Sequence, residues 1–288
     1  MAEEQETSQG DGTYFIEAEN AAEMARLINQ DRILTRCMGG LFPPQLDLSN
    51  VHDVLDIACG PGGWALDVAR SHPDKRVTAI DISQIMTEFA RYQAREQELY
   101  NAHFVAMDAL KPLDFSDNSF DFVNARFISG FMPKTKWPTL LQECLRILRP
   151  GGVIRLTEFE STISNSLAVE RLCELLTRAL YKTGRSFSPT GWQVAMTPLL
   201  EKFLRDARYQ HIQWMAHVLN SSAGTEEHLS QYQNGMAFFK LMQPFLVRSG
   251  ETTPEEAESL YQQTLEDMME PDYCAVLYFL SAWGEKPR

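Results

Sequence analysis

The stretch VLDIACGPGG, residues 54–63, decides the fold of this 288-residue chain. It runs from a short apolar segment directly into a turn that contains Gly60 and Gly62. Glycine permits positive φ and lets backbone N–H groups approach a ligand at the N-terminus of the following helix. The stretch therefore predicts a buried strand, a ligand-binding turn and the start of a helix.

The same alternation of strand and helix continues along the chain. The apolar pattern predicts further strands at residues 76–81, 103–108, 120–125 and 153–159, with helices at 62–72 and 83–99 and another that ends near Leu148. Such alternation is typical of a parallel sheet with right-handed crossovers and helices on both faces.

Beyond Glu160 the spacing is looser. It predicts helices over 165–182 and 191–206, a strand over 209–219, two helices within 220–271 and a last strand within 273–283. The fold class is therefore α/β: a doubly wound, mostly parallel seven-stranded sheet with helices on both faces, an antiparallel last strand and a helical cap.

Composition and charge exclude several classes of protein. The net charge of −13 opposes binding to a phosphate backbone, so we expect no nucleic-acid partner. No stretch approaches the roughly 18 apolar residues that span a bilayer, and the start lacks a signal-peptide pattern. The cysteines and histidines show no metal-ligand spacing. We expect a cytoplasmic protein with no membrane partner and no metal.

The glycine turn alone leaves two cofactors open. Gly60, Gly62 and Ala65 satisfy the dinucleotide pattern G-x-G-x-x-A, and Asp81 ends the second strand, where a ribose-binding acid belongs. A nicotinamide-dependent oxidoreductase would show the same residues.

Three further features favour a different class. Asp56 stands inside the strand before the glycines, Asp108 ends the third strand, and DNSFDFV at 117–123 precedes an RPGG turn at 149–152. With these residues the chain resembles the class I S-adenosylmethionine-dependent methyltransferases over residues 51–160. The resemblance is greatest to the group around the ubiquinone and menaquinone biosynthesis methyltransferases.

The resemblance implies S-adenosyl-L-methionine as cofactor. It also implies that the methionyl part of the cofactor is bound by Asp56, Ala58, Gly60 and Gly62, with Asp56 near its ammonium group. Alanine at position 58 departs from the family's usual G-x-G-x-G pattern. We expect its methyl group to be accommodated.

The resemblance also implies the nucleoside contacts. Asp81 would accept both ribose hydroxyls, and Ile82 would pack on the adenine. Asp108 would take the adenine amino group, while the backbone at Ala109 and Leu110 meets the ring.

Asn124 to Arg126 would lie beside the transferred methyl group. Because a sulfonium already activates that group, transfer is an in-line displacement that needs no obligatory catalytic residue. The candidates for catalysis are Arg126, His217 and His228.

The acceptor is expected to be a small molecule. Residues 124–127 read NARF and contain neither the Pro-Pro nor the Pro-Cys element of nucleic-acid methyltransferases. The apolar cap favours a hydrophobic or aromatic acceptor, and side chains that either line its pocket or belong to the core are Trp192, Tyr232, Met236 and Phe239. Oxygen, nitrogen and carbon acceptors stay open, as does a protein of this fold that binds the cofactor without methylating.

We expect five segments in a monomer or homodimer. They are a disordered acidic tail (1–12), an N-terminal helical extension or lid (13–50), the cofactor-binding core (51–219), a helical cap insertion (220–271) and the final strand of the core (272–288). A parallel sixth strand brings residue 220 to the carboxyl edge of the sheet, which places the cap over the cofactor crevice.

Overall fold

The computed structural model describes Phe15, Ile16 and residues 20–288; the predicted tail at 1–12 lies outside the described residues. The α-helices are α1 Ala21–Cys37, α2 Gly63–Ser71, α3 Gln84–Glu96, α4 Trp137–Ile147, α5 Leu167–Lys182, α6 Leu200–Asp206, α7 His228–Arg248 and α8 Pro254–Asp267. The strands are β1 Asp53–Ile57, β2 Arg76–Asp81, β3 Ala102–Ala106, β4 Phe120–Arg126, β5 Leu148–Phe159, β6 Ile163–Ser164, β7 Gln210–Asn220 and β8 Ala275–Glu285.

The strands form one mixed sheet in the order β3-β2-β1-β4-β5-β8, with β7 on the far side of β8. Strands β1 to β5 pair in parallel, and β8 is antiparallel to both β5 and β7. The predicted doubly wound sheet with an antiparallel last strand is confirmed. The two-residue β6, which pairs with the start of β8, was not expected.

One predicted helix is wrong in its extent. The helix expected over 191–206 begins only at Leu200, after a short 3₁₀ turn at Thr197–Leu199. The backbone N–H groups of residues 195, 196 and 197 donate instead to the carboxylate of Glu160, at 2.9–3.0 Å. Because that carboxylate already satisfies the donors, this segment needs no helical hydrogen bonds.

Side chains of β1 alternate between the two faces of the sheet, as a strand period of two requires. Val54 packs with Trp64 of α2 on one face. Leu55 and Ile57 pack on the other face with Leu141 of α4. Both faces are therefore covered by helices, and the open edge of the sheet lies at the carboxyl ends of the strands.

Helices α7 and α8, between β7 and β8, share the larger of these cores. Phe239, Met242 and Leu246 of α7 and Tyr261 of α8 belong to the same buried cluster as Leu172 of α5. Within the part of the chain that the structure describes, no helix is long and apolar enough to cross a membrane.

Gly62 holds α2 against its neighbours. Its φ is +82°, and a Cβ there would lie 2.6 Å from the Phe104 ring and 2.8 Å from the Ala90 Cβ. These contacts are too close for any side chain. The glycine therefore sets how closely the start of α2 approaches α3 and β3.

We expect Gly62→Ala to lower the free energy of unfolding by about 2 kcal/mol or more, since overpacking adds to the strain of a left-handed alanine. Gly224→Ala is the matched control, because Gly224 has φ +80° with nothing within 4 Å of its Cβ position. Urea unfolding of both variants measures the difference. Equal losses would contradict the packing role of Gly62.

Candidate functional site

A cavity of about 280 Å³ opens at the carboxyl ends of the parallel strands and extends under α1 and α7. Its wall includes most of the predicted cofactor residues: Asp56, Ala58, Gly60, Asp81, Ile82, Asp108, Ala109 and Arg126. Three predicted residues, Gly62, Leu110 and Asn124, are not part of that wall. The strand ends therefore bring eight of the eleven candidates to one place.

In the turn after β1, every second residue from position 58 to position 62 has a left-handed backbone conformation. Ala58 has φ +57°, Gly60 +54° and Gly62 +82°. A left-handed alanine costs roughly 1–2 kcal/mol, which explains why glycine is usual at the first position in the family that the sequence resembles. The strain at Ala58 lies directly in the cavity wall.

Asp81 is fixed at the end of β2 by two backbone donors. The Gly60 N–H donates to its Oδ2 at 2.8 Å, and the Ser83 N–H donates to its Oδ1 at 2.9 Å. Burial raises the pKa of this carboxyl above its usual range. Each carboxylate oxygen keeps acceptor capacity for a ligand hydroxyl, because a carboxylate offers about four lone-pair sites.

Ile82, directly after β2, adds an apolar contact, and Asp108, shortly after β3, adds an acidic one. Ile82 is 58% exposed although it lies in the cavity wall, so its side chain is available to a flat apolar ligand surface. Asp108 accepts the Leu110 N–H at 2.9 Å. Leu110 thus donates its N–H to Asp108 and lies outside the cavity wall, and the expected contact of its backbone with the adenine ring stays a prediction.

Asn124 also lies behind the site, within β4, and is fully buried. Its Nδ2 donates to Asp56 Oδ1 at 2.7 Å, and its Oδ1 accepts from Arg155 Nε at 2.8 Å. Parallel register places these residues side by side on β1, β4 and β5. Asn124 therefore orients Asp56, and its expected position beside the transferred methyl group stays a prediction.

Burial raises the pKa of Asp56 to about 7, while Arg126 and the hydrogen bond from Asn124 act in the opposite direction. Arg126 lines the cavity and forms an ion pair with Asp31 of α1. It also donates to Thr35 Oγ1 at 3.1 Å. Asp31 was missed in the sequence because it lies outside residues 51–160, where the recognisable motifs end.

The two candidate histidines lie outside the cavity wall. His217 stacks on Phe279 at 4.9 Å and contacts Ser281 Oγ at 3.2 Å. Burial and the charge of Arg155 lower the pKa of its imidazole. His228 donates through Nδ1 to the Ser221 carbonyl at 3.0 Å. Both rings are held by structural contacts, and only Arg126 of the three catalytic candidates reaches the cavity.

The far end of the cavity is apolar and aromatic. Of the four predicted pocket residues only Phe239 lines it, while Trp192 is 83% exposed elsewhere on the surface. The other wall residues at this end were not singled out from the sequence, and they include Phe131, Phe159, Val169, Leu176, Val194, Phe238, Met268, Tyr273 and Leu277.

Glu158 holds the loop after β4 that closes this end. Its Oε1 accepts the N–H groups of Ile128 at 2.8 Å and Ser129 at 3.2 Å, and its Oε2 accepts the Ser129 hydroxyl at 2.6 Å. The loop presents Phe127 and Phe131 to the cavity. Burial raises the pKa of Glu158 to about 8.

A raised folded-state pKa stabilises the protein at low pH, and this contribution is lost as the pH rises towards 8. We therefore expect the free energy of unfolding to fall less steeply in Glu158→Gln than in the parent protein. The difference in slope should be on the order of 1 kcal/mol per pH unit between about pH 5 and pH 8. Urea titrations test this, with the exposed Glu88→Gln as control; identical slopes would contradict it.

Comparison with known proteins identifies the kind of domain that contains this cavity. Residues 54–152 match the family described as "Methyltransferase domain". A demethylmenaquinone methyltransferase of Listeria welshimeri is 27% identical over 184 residues, 59% of this chain and 75% of that protein. One from Listeria monocytogenes is 35% identical over 101 residues, and the match spans 35% of this chain and 41% of that protein. Methyltransferase pytC of Aspergillus terreus is 27% identical over 253 residues, 81% of this chain and 71% of that protein.

Solved structures agree on the fold. Phosphoethanolamine N-methyltransferase 2 of Haemonchus contortus, in complex with S-adenosyl-L-methionine, matches with a TM-score of 0.53 and 17% identity over 94% of this chain and 57% of that one. A putative methyltransferase from Bacillus halodurans matches with a TM-score of 0.52 and 19% identity, covering 88% of this chain and 99% of that one.

The residues present fit S-adenosylmethionine. The glycine turn leaves room for a ligand, and carboxylates lie at two neighbouring strand ends with an exposed isoleucine after the first. Together with the buried acid Asp56, these groups match a cationic nucleoside ligand. The fold and the site thus define a Rossmann-like methyltransferase. These matches support a class I S-adenosylmethionine-dependent methyltransferase, and the nicotinamide alternative is not favoured.

We expect Asp81→Ala to weaken S-adenosylmethionine binding by about 2–3 kcal/mol, since hydrogen bonds to a charged group are lost. Isothermal titration calorimetry measures the affinity. Asp206→Ala, at an exposed site on α6, serves as control. An unchanged affinity in Asp81→Ala would refute the ribose role of this carboxylate.

Proposed function

We propose that the enzyme transfers a methyl group to a small molecule with a large hydrophobic or aromatic surface. The observation that carries the proposal is that one cavity contains both the cofactor residues and the aromatic chamber under α7. Gly60, Asp81 and Asp108 lie at one end, and Phe239 and Tyr273 at the other. An acceptor in the chamber would share a single enclosed space with the cofactor.

The chamber has the make-up of a small-molecule pocket. Its walls are mostly aromatic and aliphatic, and a few polar side chains, including Gln231, Asn234 and Ser221, project among them. Pockets of this kind bind an apolar body and orient it through a small number of hydrogen bonds. Relatives named for demethylmenaquinone support an acceptor of small-molecule size.

Helices α1 and α7 cover the chamber as a lid. Asn29 Nδ2 donates to the Ser230 carbonyl at 3.2 Å, and Arg26 Nη1 donates to Asn234 Oδ1 at 3.2 Å. Arg36 forms an ion pair with Glu227 at 2.9 Å. These contacts join the N-terminal helix to the segment between β7 and β8, so that the two together exclude water from the reacting groups.

When bound, S-adenosylmethionine supplies a methyl group already activated by a sulfonium. The chain's own residues then have to orient the two substrates and keep water out. Asp81 and Asp108 fix the cofactor end, and the loop held by Glu158 fixes the position of Phe127 and Phe131 at the apolar end. The net charge of −13 supports a small acceptor over a nucleic acid.

The first test of this proposal is a transfer assay. Radiolabelled S-adenosylmethionine is incubated with the enzyme and a panel of phenols, quinols, amines and fatty acids, with DNA and RNA oligonucleotides as separate arms. We expect labelled product from bulky apolar acceptors and none from the oligonucleotides. Labelled nucleic acid without labelled small molecule would overturn the proposal.

Gly235 of α7 offers a matched pair of variants for the chamber. It lines the cavity, and a Cβ there would make ordinary contacts of 3.4–3.6 Å with Met268 and Phe239. Gly235→Ala should therefore behave as the parent protein. Gly235→Phe should fill the chamber and reduce methyl transfer to bulky acceptors by more than about tenfold, while calorimetry shows unchanged cofactor affinity. Full transfer by Gly235→Phe would place the acceptor elsewhere.

A further inference from the structure

Helix α1 reaches the cofactor end of the cavity as well as the chamber. Leu27 and Asp31, one helical turn apart, both line the wall at the glycine turn. A Cβ on Gly60 would lie 3.4 Å from Leu27 Cδ1, and a Cβ on Gly63 would overlap the Asp31 carboxylate. Two glycines thus allow α1 to lie directly on the turn, with the carboxylate at the start of α2.

Asp31 is one of three charged groups gathered there. Its ion-pair partner Arg126 and the buried Asp56 also line the cavity. The Asp31 and Arg126 side chains are each only 12% exposed. Arg126 lowers and Asp31 raises the pKa of Asp56, so the three groups lie within electrostatic range of one another. A largely buried ion pair gains little stability from desolvated charges alone.

We propose that Asp31, in place of the Asp56 that the resemblance implies, binds the α-ammonium group of S-adenosylmethionine and that Arg126 binds its α-carboxylate. The inference rests on the assigned cofactor and extends its site to a helix outside the recognisable motif. An amino-acid end carries one positive and one negative group, and the Asp31–Arg126 pair presents the complementary charges at the cavity wall. A guanidinium fork also suits a carboxylate in geometry.

The competing explanation is mechanical: the ion pair only fastens α1 to β4. Arg126 also donates to Thr35 Oγ1 and lies 5.9 Å from the Trp64 ring, so such fastening has structural support. The two explanations differ in how they depend on the ligand. A fastening role affects every ligand of the site alike, whereas a binding role depends on the ligand's own ammonium group.

The experiment is a thermodynamic cycle that changes one side chain of the protein and removes one group of the ligand. Calorimetry measures the four binding affinities. The ligands are S-adenosylhomocysteine and its deaminated analogue, in which hydrogen replaces the α-amino group. We expect Asp31→Asn to weaken S-adenosylhomocysteine binding by about tenfold or more. Its affinity for the deaminated analogue should stay within about twofold of the parent. Asp67→Asn, on the exposed side of α2, should change neither affinity.

Arg126→Gln provides a second and independent cycle with the decarboxylated analogue, should Asp31→Asn fail to fold by circular dichroism. It should weaken S-adenosylhomocysteine binding and leave the decarboxylated analogue unaffected. The proposal would be overturned if either variant bound S-adenosylhomocysteine and its analogue with equally weakened affinity, or if it bound both with unchanged affinity. If the parent protein bound no S-adenosyl ligand at all, the cofactor assignment itself would fall, which is a distinguishable result.

Discussion

The turn between β1 and α2 is the constraint on which the rest of the site depends. Ala58, Gly60 and Gly62 all have positive φ. The two glycines carry no side chain at the positions where other elements approach the turn. At Gly62 the neighbours are Phe104 of β3 and Ala90 of α3, which belong to the core of the sheet and its helices. At Gly60 the neighbour is Leu27 of α1, at an ordinary contact distance. One short turn thus packs α2 onto the sheet and keeps the cavity open.

In several irregular segments around the cavity, side-chain carboxylates accept the backbone hydrogen bonds that regular secondary structure would otherwise form. Asp81 accepts N–H groups from Gly60 and Ser83, Glu158 accepts them from the loop after β4, and Glu160 accepts them from the segment before α6. Each of these acids satisfies backbone donors that would otherwise be unpaired in an irregular segment. The cavity wall can therefore be irregular in shape and still be rigid.

The charged groups beneath the cavity follow the register of the sheet. Asp56, Asn124 and Arg155 occupy neighbouring positions on β1, β4 and β5, and they form a hydrogen-bonded row. Arg126 and Thr157 pair in the next row towards the carboxyl edge. Such a row costs desolvation energy, and it places an acid and an arginine with defined orientations at the cofactor end of the site.

The sequence by itself determined the parallel sheet, the glycine turn and the acids that end β2 and β3, because these features follow from local periodicity and from spacing between neighbouring residues. Only the tertiary structure decided which side chains meet over long separations. It placed Asp31 against Arg126, turned Asn124 behind Asp56, and removed His217 and His228 from the cavity wall. It also built the apolar end of the cavity from residues of α5, α7 and the loops after β4 and β5. The contact between Asp31 and Arg126 joins residues 95 positions apart, and no local pattern encodes the packing angle that brings such residues together.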